Sequence, residues 1–267
     1  MRGYLALFRV RFTTSLQYRA AALGGIATQF AWGFMEILAF LAFYQVNSAA
    51  FPMEFSQVVT YIWMQQAFLA LFMVWFYENE ILTAIQTGAI AYELTRPLDL
   101  YNLWFCSSVA NRLAKALLRS MPILVVAFLV PPPLRMSLPP NGTHLVLFLI
   151  STILALGVVV AFNMLVYIST FYTLSPLGGR IIAAMLADFL AGSILPLPFF
   201  PAGFRVVAEL LPFAAMQNMP LRIYSGHMNA TAAVQGIWLQ LFWLVTLVGL
   251  GKISMKYALQ KVVVQGG

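Results

Sequence analysis

The stretch Leu145–Leu174 runs without one charged side chain. A helix needs about 20 apolar residues to cross a bilayer, so this run already points the chain toward lipid. Five further apolar stretches accompany it: about Ala20–Val46, Gln57–Tyr77, Trp104–Val130, Ile181–Phe200 and Ala233–Ile253. Composition agrees, with 62% hydrophobic and 9% charged residues, where a soluble domain carries about 25% charged. The expectation is an all-α integral membrane protein with six transmembrane helices, forming a single domain over residues 1–267. The first run exceeds the apolar region of a signal peptide. The single Cys106 excludes a disulfide framework within one chain.

Lys and Arg set the orientation, because they collect on the cytoplasmic side. With both termini cytoplasmic, the inside holds Arg2, Arg9, Arg11, Arg19, Arg96, Arg112, Lys115, Arg119, Arg180, Lys252, Lys256 and Lys261. The outside then holds only Arg135, Arg205 and Arg222. The asymmetry supports an even number of spans in the cell membrane with both ends inside. It requires Arg112, Lys115 and Arg119 to snorkel or to line a wet surface near the cytoplasmic end of the third span. The net charge is +7, but no basic face on a soluble module offers itself to nucleic acid.

Between the second and third spans lies a segment too polar to cross a bilayer, residues 78–99. Ile81, Ile85, Ala89 and Tyr92 share one helical face, and Ile90 and Leu94 add a second apolar strip. Glu93 and Arg96 stand near its end, where Pro97 biases the preceding residue away from helix. An amphipathic helix followed by a rigid turn can transmit a push. Residues 1–19 carry a comparable pattern: Leu5, Phe8, Phe12 and Leu16 form an apolar face bordered by Arg9 and Arg11, as in a helix lying in the membrane plane.

The loop segment 201–232 is bounded by prolines. Pro201 suits a first helical turn, Pro212 ends it, Phe204, Val207 and Leu211 share a face, and Arg205 and Glu209 stand in i,i+4 register. A short external helix dipping back toward the membrane is expected. Pro131–Pro140 reads as a stiff external connector. Asn141-Gly-Thr143 and Asn229-Ala-Thr231 match the glycosylation sequon.

Two acids fall within apolar spans, Glu36 and Asp188. Insertion scales charge about 2.5–3.5 kcal/mol for such a residue, so each either contacts a translocated species or has a local partner; Asn163 or Thr170 could serve Asp188. Gln65 and Gln66, mid-span, are expected to hold helices together. His144 and His227 are too far apart in sequence to suggest a metal site. Gly24-Gly25 and Gly178-Gly179 lack the Lys-Ser or Lys-Thr of a phosphate-binding loop, so the chain is not expected to be an ATPase of that class, nor an enzyme.

These residues together resemble the membrane subunits of ABC-2 type exporters. The resemblance covers nearly the whole chain: the N-terminal interfacial helix, six spans, Gly88 with Glu93-Leu94-Thr95-Arg96-Pro97-Leu98 between spans two and three, and Gly192-Ser-Ile-Leu-Pro-Leu-Pro-Phe-Phe-Pro201 before the last span. It implies that the 78–99 segment is a cytoplasmic coupling helix, with Tyr92, Glu93, Arg96 and Pro97 contacting a separate ABC ATPase. It implies short re-entrant helices before the last span, and a second permease copy or paralogue. ATP and magnesium would then sit on the partner, with no cofactor in this chain. Glu36, Asp188, Arg112 and Lys115 are the residues expected along the translocation path; the last two are more basic than a lipid-facing helix should be. The residues alone leave open a secondary transporter or channel working by itself, although no convincing internal repeat is visible, or a membrane assembly protein without transport.

Overall fold

A computed structural model describes the backbone of residues 2–17, 19–173 and 175–260, and their side chains except those of residues 19–22. Of the basic residues counted above, the side chain of Arg19 and all of Lys261 lie outside the described residues. Every regular element among the described residues is helical. Helix α1 (Arg2–Leu16) precedes α2 (Arg19–Asn47). Then follow α3 (Phe55–Ala67), α4 (Leu69–Phe72), α5 (Asn79–Thr87), α6 (Ile90–Leu94), α7 (Leu100–Leu129) and α8 (Gly142–Thr173). The chain ends through α9 (Pro176–Leu190), α10 (Ala202–Leu210), α11 (Asn218–Tyr224) and α12 (Ala230–Leu259).

Three helical stretches are long and apolar enough to cross a membrane: Leu23–Ala50, Gly142–Thr173 and Ala230–Leu259. Helix α7 matches them in length but carries Arg112, Lys115 and Arg119. The remaining two expected spans are not continuous helices. Gln57–Tyr77 breaks at Phe68 and unwinds after α4. Its carbonyls are taken by side chains of neighbouring helices instead of by the next helical turn: Arg112 Nη1 donates to Ala70, Leu71 and Met73 and Nη2 to Phe76, at 2.8–3.3 Å. Asn163 Nδ2 donates to the Val74 carbonyl at 3.1 Å. Irregular backbone at membrane depth is tolerated where protein groups satisfy it in this way.

The stretch expected over Ile181–Phe200 begins its helix earlier, at Pro176, and stops at Leu190. Gly192 has φ of 77°, and a Cβ there would lie 2.8 Å from the Tyr61 hydroxyl. Tyr61 instead donates to the Gly192 carbonyl at 2.9 Å, and Gln65 Nε2 donates to the Ser193 carbonyl at 2.9 Å. Gln217 Nε2 joins them, donating to Gln65 Oε1 and to the Gly192 carbonyl. Gln65 thus holds elements together as expected.

The core is aromatic, with Tyr61, Trp63, Tyr101, Trp104 and Tyr167 among the largest fully buried side chains. Small residues let α12 approach its neighbours: Gly251 lies against the Tyr101 ring and Gly157 of α8 against Leu244. Met35 and Phe43 on α2, Met121 and Leu129 on α7, Ile153 on α8, and Trp238, Phe242 and Val245 on α12 remain exposed. Such an apolar perimeter is what a lipid-embedded protein presents.

Several local expectations change. Glu209 pairs with Arg222 at 2.6 Å rather than with Arg205, because α11 brings its cation alongside α10. The short helix expected from Pro201 is present as α10, with Phe204 and Val207 exposed and only Ala208 buried. Both sequon asparagines work as helix caps, Asn141 Oδ1 accepting from His144 N–H and Asn229 Oδ1 from Ala232 N–H. On α1, Phe8, Phe12 and Leu16 of the expected face are half-buried and Leu5 is exposed, and the half-buried surface extends round the helix to Tyr4, Leu7, Arg11 and Ser15.

Candidate functional site

Two regions concentrate the chemistry. The first is a shelf made by α5 and α6. Gly88, in left-handed conformation at φ of 75°, ends α5 and lets α6 start at an angle. Asp99 then caps α7, its Oδ1 accepting from Asn102 N–H at 2.9 Å.

Polar bonds fasten this shelf on three sides. Arg11 of α1 pairs with Glu80 of α5 at 2.6 Å. Tyr4 of α1 accepts from the Asp99 N–H at 2.9 Å. Asn111 of α7 donates to Glu78 Oε2 at 2.9 Å and accepts from Ser15 at 2.7 Å. The Glu78 N–H donates to the Tyr167 hydroxyl of α8 at 2.8 Å. Trp104 Nε1 donates to Glu93 Oε2 at 2.6 Å, tying α6 to α7. A hydrogen bond to a charged acceptor contributes roughly 1.5–3 kcal/mol when shielded, so this last bond weighs more than the half-exposed Arg11–Glu80 pair, worth up to about 1 kcal/mol.

The expected contact residues divide accordingly. Tyr92 is 80% exposed, and Arg96 and Pro97 are exposed beside it. Glu93 is half-buried and points inward to Trp104, so it fixes the shelf rather than presenting a free charge. The fasteners Trp104, Glu78 and Tyr167 carried no signal in the sequence, since their partners come from other helices.

The second region is a cleft of about 530 Å³ between α2, the α3–α4 break and the end of α9. Glu36 and Asp188, far apart in sequence, both line it. Neither Asn163 nor Thr170 serves Asp188: Asn163 bonds the Val74 carbonyl and Thr170 the Val166 carbonyl of its own helix. Glu36 Oε1 and Gln29 Oε1 are buried without a hydrogen-bond partner among the described residues.

Arg112 and Lys115, expected on the same path, are not among the lining residues. Arg112 is 2% exposed, and its guanidinium is committed to four backbone carbonyls. Lys115 and Arg119 are half-buried, with their charges 5.7 and 5.8 Å from the Phe76 ring centroid. Among the described residues there is no group of His, Cys, Asp or Glu that could hold a metal ion.

A family model described as "ABC-2 family transporter protein" matches residues 30–266. No curated protein and no solved structure matches the chain.

Proposed function

The chain belongs to the ABC-2 family of transporter proteins, and from that premise we propose that it is the membrane subunit of an ATP-driven exporter, coupled to a separate ATPase through the α5–α6 shelf. The observation that carries the coupling role is the shelf's construction. Its outer surface, Tyr92 with Arg96 and Pro97, is free, while its inner surface is bonded to α1, α7 and α8. A displacement applied from outside is therefore passed to two long helices instead of being absorbed locally.

In this reading the chain makes six passes of the cell membrane, the second and fifth through broken helices, with both termini cytoplasmic. Two permease chains, identical or paralogous, and two ATPases make one transporter. ATP and magnesium bind the ATPases, and this chain performs no catalysis. Glu36 and Asp188 face the path. Lys115 lies at its cytoplasmic approach, and Arg112 shapes the path from behind by holding the α4–α5 connection open.

Co-purification with a partner ABC ATPase tests the docking surface. Tyr92→Ala combined with Arg96→Ala removes exposed side chains with no internal bonds, so the fold persists and ATPase retention falls at least fivefold. Full retention by a well-folded double variant contradicts the docking role.

A further inference from the structure

The titratable side chains that line the cleft beside α2 are all acidic. Among the described residues its lining contains two carboxylates, Glu36 and Asp188, and no Lys, Arg or His. Neither carboxylate has an ion-pair partner among the described residues. A second observation is independent of the acids. Gln29 is 3% exposed and lines the same cleft; its Nε2 is spent on the Gln66 carbonyl at 3.0 Å, which leaves Oε1 buried and unpartnered. A buried acceptor left without a donor costs roughly 1–3 kcal/mol, and a bound electropositive group would recover it.

The rest of the wall is apolar and aromatic. Trp32 and Trp75 line the cleft and are exposed, and Met35 and Leu69 line it with them. Indole faces attract cations lying over them. The nearest cations of α7 do not neutralise the site: Arg119 packs against Gly25, a turn below the cleft's Thr28, and with Lys115 is directed at Phe76.

We infer that this cleft binds a monovalent organic cation with an apolar body, held by Glu36, Asp188 and Gln29 Oε1 against the Trp32 and Trp75 rings. The inference rests on the transport reading for its meaning, since the bound cation would be cargo, but binding itself needs no ATPase.

Tetraphenylphosphonium and tetraphenylborate have nearly the same shape and opposite charge, and serve as probes. The purified chain is placed in nanodiscs of zwitterionic phosphatidylcholine, and equilibrium binding of each is measured against empty nanodiscs. Saturable phosphonium binding, at least tenfold tighter than that of borate, is expected. Glu36→Gln and Asp188→Asn should each weaken it at least fivefold, while Arg135→Gln, which does not line the cleft, leaves it unchanged. Should one carboxylate variant fail to fold, the other still reads the same site. Equal binding of the two probes, no saturable phosphonium binding, or an affinity indifferent to a folded carboxylate variant overturns the inference. Those outcomes leave ATPase docking untouched, whereas loss of docking with intact phosphonium binding refutes the exporter reading alone.

Discussion

Arg112 puts a formal charge where lipid would reject it, and the chain keeps it by offering four carbonyls that no helix is using. Insertion of an arginine costs about 2.5–3.5 kcal/mol; several charge-assisted bonds, at roughly 1.5–3 kcal/mol each, outweigh that. Arg112→Met should therefore lower stability by about 3 kcal/mol or more, because the carbonyls of Ala70, Leu71, Met73 and Phe76 lose their donor. Arg112→Lys, with a compact head and three donors, should recover only part, as read by thermal denaturation in nanodiscs. His227 makes a different prediction at the same scale. It lies in the turn before α12, where burial, then the positive charges of Arg222 and Arg205, push its pKa down to about 4. An unfolded imidazole titrates near ~6.5, so between those values the unfolded chain binds the extra proton. Stability is then highest above the unfolded value and falls as pH drops through this window toward the folded one. The melting temperature should decline from pH 7 to pH 5, and His227→Gln should flatten that decline.

At the scale of elements, long apolar helices were legible in the sequence and broken ones were not. Leu145–Leu174 and Ala233–Ile253 announce α8 and α12 by length alone. Nothing between Gln57 and Tyr77 signals a break, since no proline or glycine stands there; the cause lies on other helices, in Arg112 and Asn163. The end of α9 was half-visible, for Gly192 and three prolines follow it, yet hydropathy carried the expected span straight through. Polarity and Pro97 marked 78–99 as a helical interruption between apolar runs, but the single amphipathic helix expected there is two, α5 and α6, split at Gly88, and Glu93's inward bond to Trp104 depends on a neighbouring helix and could not be read. That bond gives an element-scale prediction: Trp104→Phe should raise amide exchange over residues 90–96 while leaving α8 protected. Packing of α12 gives another. The Tyr101 ring sits 2.6–3.0 Å from where a Gly251 Cβ would be and is itself buried. Gly251→Val should cost about 1–3 kcal/mol through overpacking, seen as a lower melting temperature.

For the molecule as a whole, the charge asymmetry of the sequence leads to the proposed arrangement, with both termini and the shelf on the cytoplasmic side. With Cys106 replaced by serine, a cysteine at Tyr92 should resist an impermeant maleimide in intact cells, and one at Arg135 should react. In the proposed arrangement the shelf would face the compartment that holds ATP, with the cleft of Glu36 and Asp188 behind it. The acids were visible in the sequence as costly exceptions in apolar runs; that they share one cleft depends on the α9 turn and on the α3–α4 break. The most direct measurement is the partner's ATP hydrolysis, compared for the ATPase alone, bound to the wild-type chain in lipid, and bound to the Tyr92→Ala/Arg96→Ala chain at concentrations that saturate binding. The account predicts hydrolysis raised at least threefold by the wild-type chain and not by the double variant. Equal stimulation by both, or none by the wild type, would contradict coupling through this shelf.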